Sequence, residues 1–143
     1  MTVHKQSTSV SSPRSGVLFS VLYLWLPLVV WMGAIFFLSA QPDLPHASTG
    51  WLDLLFSSGA HLFLFAVLAI LWGRALGQGW RSRLIALALT LIYALSDEFH
   101  QAFVPGRHAD PWDLAFDALG AVLGLLGWVW LQRRISISPK SPS

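Results

Sequence analysis

Gly16-Val17-Leu18-Phe19-Ser20-Val21-Leu22-Tyr23-Leu24-Trp25-Leu26-Pro27-Leu28-Val29-Val30-Trp31-Met32-Gly33-Ala34-Ile35-Phe36-Phe37-Leu38-Ser39-Ala40 carries no charged residue over its whole length. About 20 apolar residues cross a hydrocarbon core about 30 Å thick, so this run is a transmembrane helix by length alone. Leu38-Ser39-Ala40 faintly resembles a signal-cleavage site. The run is nevertheless well beyond the roughly 7 to 15 residues of a signal h-region, which favours a retained span.

The remainder of the chain fits the same reading. Of 143 residues, 55% are hydrophobic and 11% charged, and the mean hydropathy is +0.59. Ordinary soluble domains carry about 25% charged residues. Three further spans are expected, at about Ser57 to Trp72, between Arg83 and Asp97, and at about Trp112 to Leu131. The third is short, because thirteen uncharged residues separate its flanking charges; they make about 20 Å of helix at 1.5 Å per residue. The fold class is therefore all-α: a polytopic membrane protein with four transmembrane helices in a small bundle. Residues 1–15 and 132–143 read as flexible tails, and 16–131 as the membrane domain.

Charge sorts by helix end. Arg74, Arg81 and Arg83 lie between the second and third spans, and the other Lys and Arg except Arg107 lie in the tails. Cytoplasmic loops are enriched in Lys and Arg, so both termini are expected in the cytoplasm of a plasma-membrane protein. Trp51 and Trp112 then fall near the outer interface, and Trp72, Trp80, Trp128 and Trp130 near the inner one. The outer loop opens on a Gln41-Pro42-Asp43-Leu44-Pro45 turn, and Trp51 to Phe56 reads as an interfacial piece. The pI near 9.5 reflects this orientation, and no nucleic-acid module is present. With no cysteine, disulfides, thiol nucleophiles and thiolate metal sites are excluded.

All seven carboxylates, Asp43, Asp53, Asp97, Glu98, Asp110, Asp113 and Asp117, gather at the outer ends. On the third helix, about 100° per residue places Tyr93, Asp97, His100, Gln101 and Val104 on one face, with Glu98 about 60° from Gln101. On the fourth, Asp110, Asp113, Asp117, Gly120 and Gly124 share a stripe about 80° wide. Gly120 and Gly124 have the small-xxx-small spacing of close helix contact, which serves bundle packing or oligomerisation. Asp110 before Pro111, with Asp113 following, reads as an N-cap with a capping box or as part of a site. Asp117 lies about 9 Å inside the helix at 1.5 Å per residue. An ionisable group at such depth is costly unless paired or functional.

His61 opens the second helix at the same level. His61, Glu98, Gln101, Arg107, Asp113 and Asp117 thus form the candidate ligand site, with Glu98, His61, Asp113 and Asp117 the candidate acid-base groups. Arg107 follows Pro105-Gly106, a turn pair that can bring its guanidinium back over the acids as an anion ligand or a salt bridge. His61, His100 and His108 lie among carboxylates but match no metal-ligand spacing, and Glu98 and His100 point about 160° apart. No metal or cofactor is expected. No nucleophile elbow or phosphate loop accompanies Ser39 or Ser96.

The ordered set Phe36-Phe37-Leu38-Ser39-Ala40-Gln41-Pro42, His61, Glu98, Gln101, Phe103, Pro105, Gly106, Arg107, Asp110, Asp113, Gly120 and Gly124 resembles the VanZ-like family of small membrane proteins. The resemblance runs from about Ile35 to Gly127. It departs at Ser57-Ser58, where the family usually has Asp-Lys, and at Asp117, where Asn is usual; the first change removes a cation together with an anion, and the second adds a carboxylate. The family takes its name from a component associated with teicoplanin resistance. The resemblance implies a membrane location and a link to cell-envelope antibiotics. Three roles follow as expectations: binding or shielding of a lipid-linked envelope precursor or lipoglycopeptide, acid-base catalysis on a lipid-linked substrate, or a structural or proton-coupled role. A four-helix drug transporter fits less well, because the first helix holds no acid and the ionisable groups sit at one end.

Overall fold

A computed structural model describes residues 13–41, 50–107 and 110–137, with side chains from 18 in the first helix and 58 in the second. The expected turn at Gln41 to Pro45, most of both tails, His108, and the side chains of Trp51 and Asp53 fall outside the described residues. Four α-helices and no strand make up the described chain: α1 (Pro13–Ser39), α2 (Gly50–Leu76), α3 (Trp80–Gln101) and α4 (Pro111–Ile137). Three are long and apolar enough to cross a membrane, with spans Leu18–Ser39, Ser58–Leu76 and Pro111–Ser136. α3 keeps its charges, Arg81, Arg83, Asp97 and Glu98, at its two ends. Between them it presents Leu84, Ile85, Ile92 and Leu95 outward. Trp51 to Phe56 lies within the first two turns of α2.

α2 is the centre of the bundle. It packs most extensively on α4, then on α3 and α1, whereas α1 meets only α2 and α3. One core cluster joins Leu28 and Ile35 of α1 to Phe65, Leu68 and Leu71 of α2 and Ala94 of α3. A second, made of Ala69, Ala86, Ala121 and Leu125, lies between α2, α3 and α4. Small side chains dominate this second seam because helices in lipid gain little from hiding apolar surface and associate by close van der Waals contact instead. A Cβ at Gly120 would overlap the carbonyl oxygen of Leu62, and one at Gly124 that of Ala66. Both glycines therefore face α2 of the same chain, which leaves the expected oligomer contact through them no free surface.

Polar groups fasten α1, whose outward face is a run of exposed Leu, Val and Phe. Tyr93 Oη donates to Met32 O at 2.7 Å, and Trp31 Nε1 donates to Leu64 O at 2.9 Å. In an apolar surround such bonds have little competition from water.

Candidate functional site

The acidic end of the bundle is shaped by how α3 stops and α4 starts. Past Gln101, Val104 O accepts from Arg107 N at 3.1 Å, and Gly106 takes φ 81°. Pro105 and Gly106 thus occupy the two central positions of a turn whose second must adopt positive φ, a conformation that glycine enters without steric cost. Asp110 then caps α4, its Oδ1 accepting from Trp112 N at 2.9 Å. Pro111 takes the first helical position, where a missing N–H costs nothing.

The reciprocal half of the expected capping box is supplied by a different residue. Asp110 N donates to Glu98 Oε2 at 3.0 Å, so the acid reaches across from α3. Asp113 is released from that duty, and its Oδ2 lies 3.7 Å from His61 Nε2. The other imidazole nitrogen, Nδ1, lies 3.0 Å from Asp117 Oδ1. His61 is buried, and Asp117 is 0% exposed. A histidine held by a carboxylate has its ring orientation fixed, and the tautomer follows from which nitrogen the carboxylate engages.

His61, Glu98, Asp113 and Asp117 are therefore neighbours drawn from α2, α3 and α4. One potential ligand atom from each of His61, Glu98 and Asp117 lies within 4.8 Å of the others, and all three residues are buried. Among the described residues, these three could hold a metal ion. Gln101 joins them at one remove, donating from Nε2 to Asp97 Oδ2 at 3.1 Å. His100 does not take part. Its ring stacks on Phe36 of α1, centroids 4.4 Å apart.

Arg107 behaves differently from the expected salt bridge. Its Nε donates to Gln41 O at 3.2 Å and an Nη to Leu38 O at 3.4 Å, and among the described residues it makes no ion pair with an acid. Leu38 stands in the last turn of α1, where its carbonyl also accepts from Gln41 N at 3.2 Å, and Gln41 lies two residues past the helix; this is the negative end of the helix dipole, so a cation is well placed there. Sequence reasoning missed this role because α1 lies far from Arg107 along the chain. The signal available was generic: a helix C-terminus needs donors.

Below Arg107 opens a cleft of about 160 Å³. Ile35, Leu38, Leu64 and Phe65 form its apolar wall, and His61, Asp97, Gln101 and Arg107 its polar end. Ser39 and Ala60 complete the lining, and the sequence carries no motif that marks either as a ligand residue. The small residue at 60 leaves room beside His61.

Residues 19–132 match the family model described as VanZ/LLP1. No curated protein and no solved structure gives a significant match to the chain.

Proposed function

The chain belongs to the VanZ/LLP1 family, and from that premise we propose that it is a membrane-embedded binding protein for an amphiphilic cell-envelope component. The ligand class is a lipid-linked precursor or a lipoglycopeptide antibiotic such as teicoplanin, bound or shielded at the extracytoplasmic surface of the plasma membrane. The observation that carries this reading is the two-sided lining of the cleft, apolar along Ile35, Leu38, Leu64 and Phe65 and polar at His61, Asp97, Gln101 and Arg107. An amphiphile matches both walls at once. Arg107 has five N–H donors, of which two serve the Leu38 and Gln41 carbonyls. The remainder suit an anionic headgroup, the planar fork favouring carboxylate or phosphate.

Binding of a fluorescent lipoglycopeptide and of a labelled lipid-linked precursor to the protein in nanodiscs tests this. Arg107→Ala and the cleft-filling Ala60→Leu are each expected to weaken one of them about tenfold, equivalent to roughly 1.4 kcal/mol. Wild-type protein that binds neither probe rules the reading out.

The orientation belongs to the same proposal. Arg74, Arg81, Arg83, Arg133 and Arg134 lie at the opposite end of the bundle from Asp97, Glu98, Asp113 and Asp117, which supports cytoplasmic termini. A reporter fused after Gly106 is expected to read as extracytoplasmic, and a cytoplasmic signal would invert the placement of the site.

One observation favours a second reading. The 3.0 Å contact between His61 Nδ1 and Asp117 Oδ1 is the arrangement in which a carboxylate orients an imidazole for general acid-base work, with Glu98 or Asp113 as the partner acid. Turnover of a labelled lipid-linked precursor, lost in His61→Gln, would establish an enzyme acting on the same ligand class.

A further inference from the structure

We infer that His61, Glu98 and Asp117 form a binding site for a divalent cation of the Zn²⁺ or Mn²⁺ class. Three observations converge. The three residues come from three helices, yet each places a ligand atom within 4.8 Å of the other two. Tetrahedral bonds of about 2.0–2.2 Å from zinc to nitrogen and oxygen set ligand atoms about 3.3–3.6 Å apart, so such a set would close by up to about 1.3 Å on the ion. Second, Glu98 Oε1 and Asp117 Oδ2 are buried with no hydrogen-bond partner among the described residues. Buried carboxylate oxygens are seldom left in that condition, so a partner is called for. Third, the charge balance is poor. Asp97, Glu98, Asp113 and Asp117 lie around His61, while the nearby guanidinium of Arg107 is directed to the Leu38 and Gln41 carbonyls. Ionised carboxylates removed from water need compensation by a paired cation or a metal.

The donor set names the class of ion. One imidazole nitrogen with carboxylate oxygens and no sulfur suits Zn²⁺ or Mn²⁺, whereas Ca²⁺ and Mg²⁺ prefer oxygen alone. Three protein ligands leave a coordination position open, as in catalytic rather than structural zinc sites. Asp113, with Oδ2 at 3.7 Å from His61 Nε2, is placed to become a fourth ligand or to hold the imidazole in position.

This inference does not rest on the amphiphile reading, because the probe is the metal alone. The full chain in detergent, stripped with a chelator, is titrated calorimetrically with Zn²⁺ and followed by visible absorption with Co²⁺. One equivalent per chain is expected. Glu98→Gln and Asp117→Asn keep side-chain size, and the Gln carbonyl still accepts from Asp110 N. Each is expected to weaken Zn²⁺ binding by at least about 10- to 100-fold, the range that even outer-shell partners carry. Circular dichroism and gel filtration report whether these variants remain folded. A variant with His4, His46 and His108 changed to Ala and His100 to Phe leaves His61 as its single imidazole, and it should keep the Co²⁺ band. Absence of one-equivalent binding overturns the proposal, as does binding that survives in folded Glu98→Gln and Asp117→Asn. Loss of the Co²⁺ band in the folded histidine variant would likewise place the ion elsewhere.

Discussion

Gly120→Leu is expected to abolish the folded bundle, and Gly120→Ala to weaken it severely. A Cβ at this position would stand 3.0 Å from Leu62 Cα and overlap the Leu62 carbonyl oxygen. The obstacle is backbone on a packed helix, so no rotamer change relieves it. Only separation of α4 from α2 would make room, and that is the most extensive helix contact in the molecule. Overpacking a tight interior commonly costs about 1–3 kcal/mol. A leucine forced against backbone belongs among the exceptional substitutions, above about 4 kcal/mol. Gly124, one turn along, meets Ala66 in the same way, so Gly120→Ala/Gly124→Ala should be worse than either alone. Reversible unfolding in mixed micelles measures this. A Gly120→Leu protein with unaltered stability would mean that α2 and α4 do not pack as described. Gly127, by contrast, has nothing within 4 Å of its Cβ position; Gly127→Ala serves as the control and should be nearly neutral.

The second large effect is expected at the His61–Asp117 pair. Asp117 is fully buried and its Oδ1 lies 3.0 Å from His61 Nδ1. Asp117→Ala strands a buried imidazole, and His61→Ala strands a buried carboxylate that already has one unpartnered oxygen. Breaking a buried pair from one side costs about 3–5 kcal/mol, and the Asp113 carboxylate 3.7 Å from the other imidazole nitrogen offsets only part of that when Asp117 is removed. Removing both deletes the liability together with the bond. The double variant should therefore lose less than the sum of the singles, by about 0.5–3 kcal/mol. Additive losses in the same unfolding assay would show that the two side chains are independent. His61 and Asp113 should couple more weakly, since they are 3.7 Å apart and Asp113 is less buried.

Much of the architecture was readable from the chain. The uncharged run of α1 and the apolar stretches of α2 and α4 needed only length and hydropathy, because the hydrocarbon thickness is fixed and a lipid-facing backbone must satisfy its own hydrogen bonds. The cap at Asp110 and the positive φ at Gly106 were legible for a local reason: both depend on residues within a few positions. Helical arithmetic likewise assigned Asp113, Asp117, Gly120 and Gly124 to one stripe.

Other features depended on contacts between distant segments. Asp113 appeared in sequence as the natural second member of a capping box, but Glu98 fills that place from α3. Arg107 appeared as a counter-ion for the acids, but its donors are drawn to the carbonyls of Leu38, in the last turn of α1, and Gln41, just past it. The sequence by itself determined the helices, their likeness in length to a bilayer, and the end at which the ionisable groups gather, since periodicity and hydropathy are properties of a single helix. Only the tertiary structure decided which of those groups meet. Distances between side chains on different helices are set by interhelical packing, here by two glycines that bring α4 against α2 and carry Asp117 to His61 and Glu98.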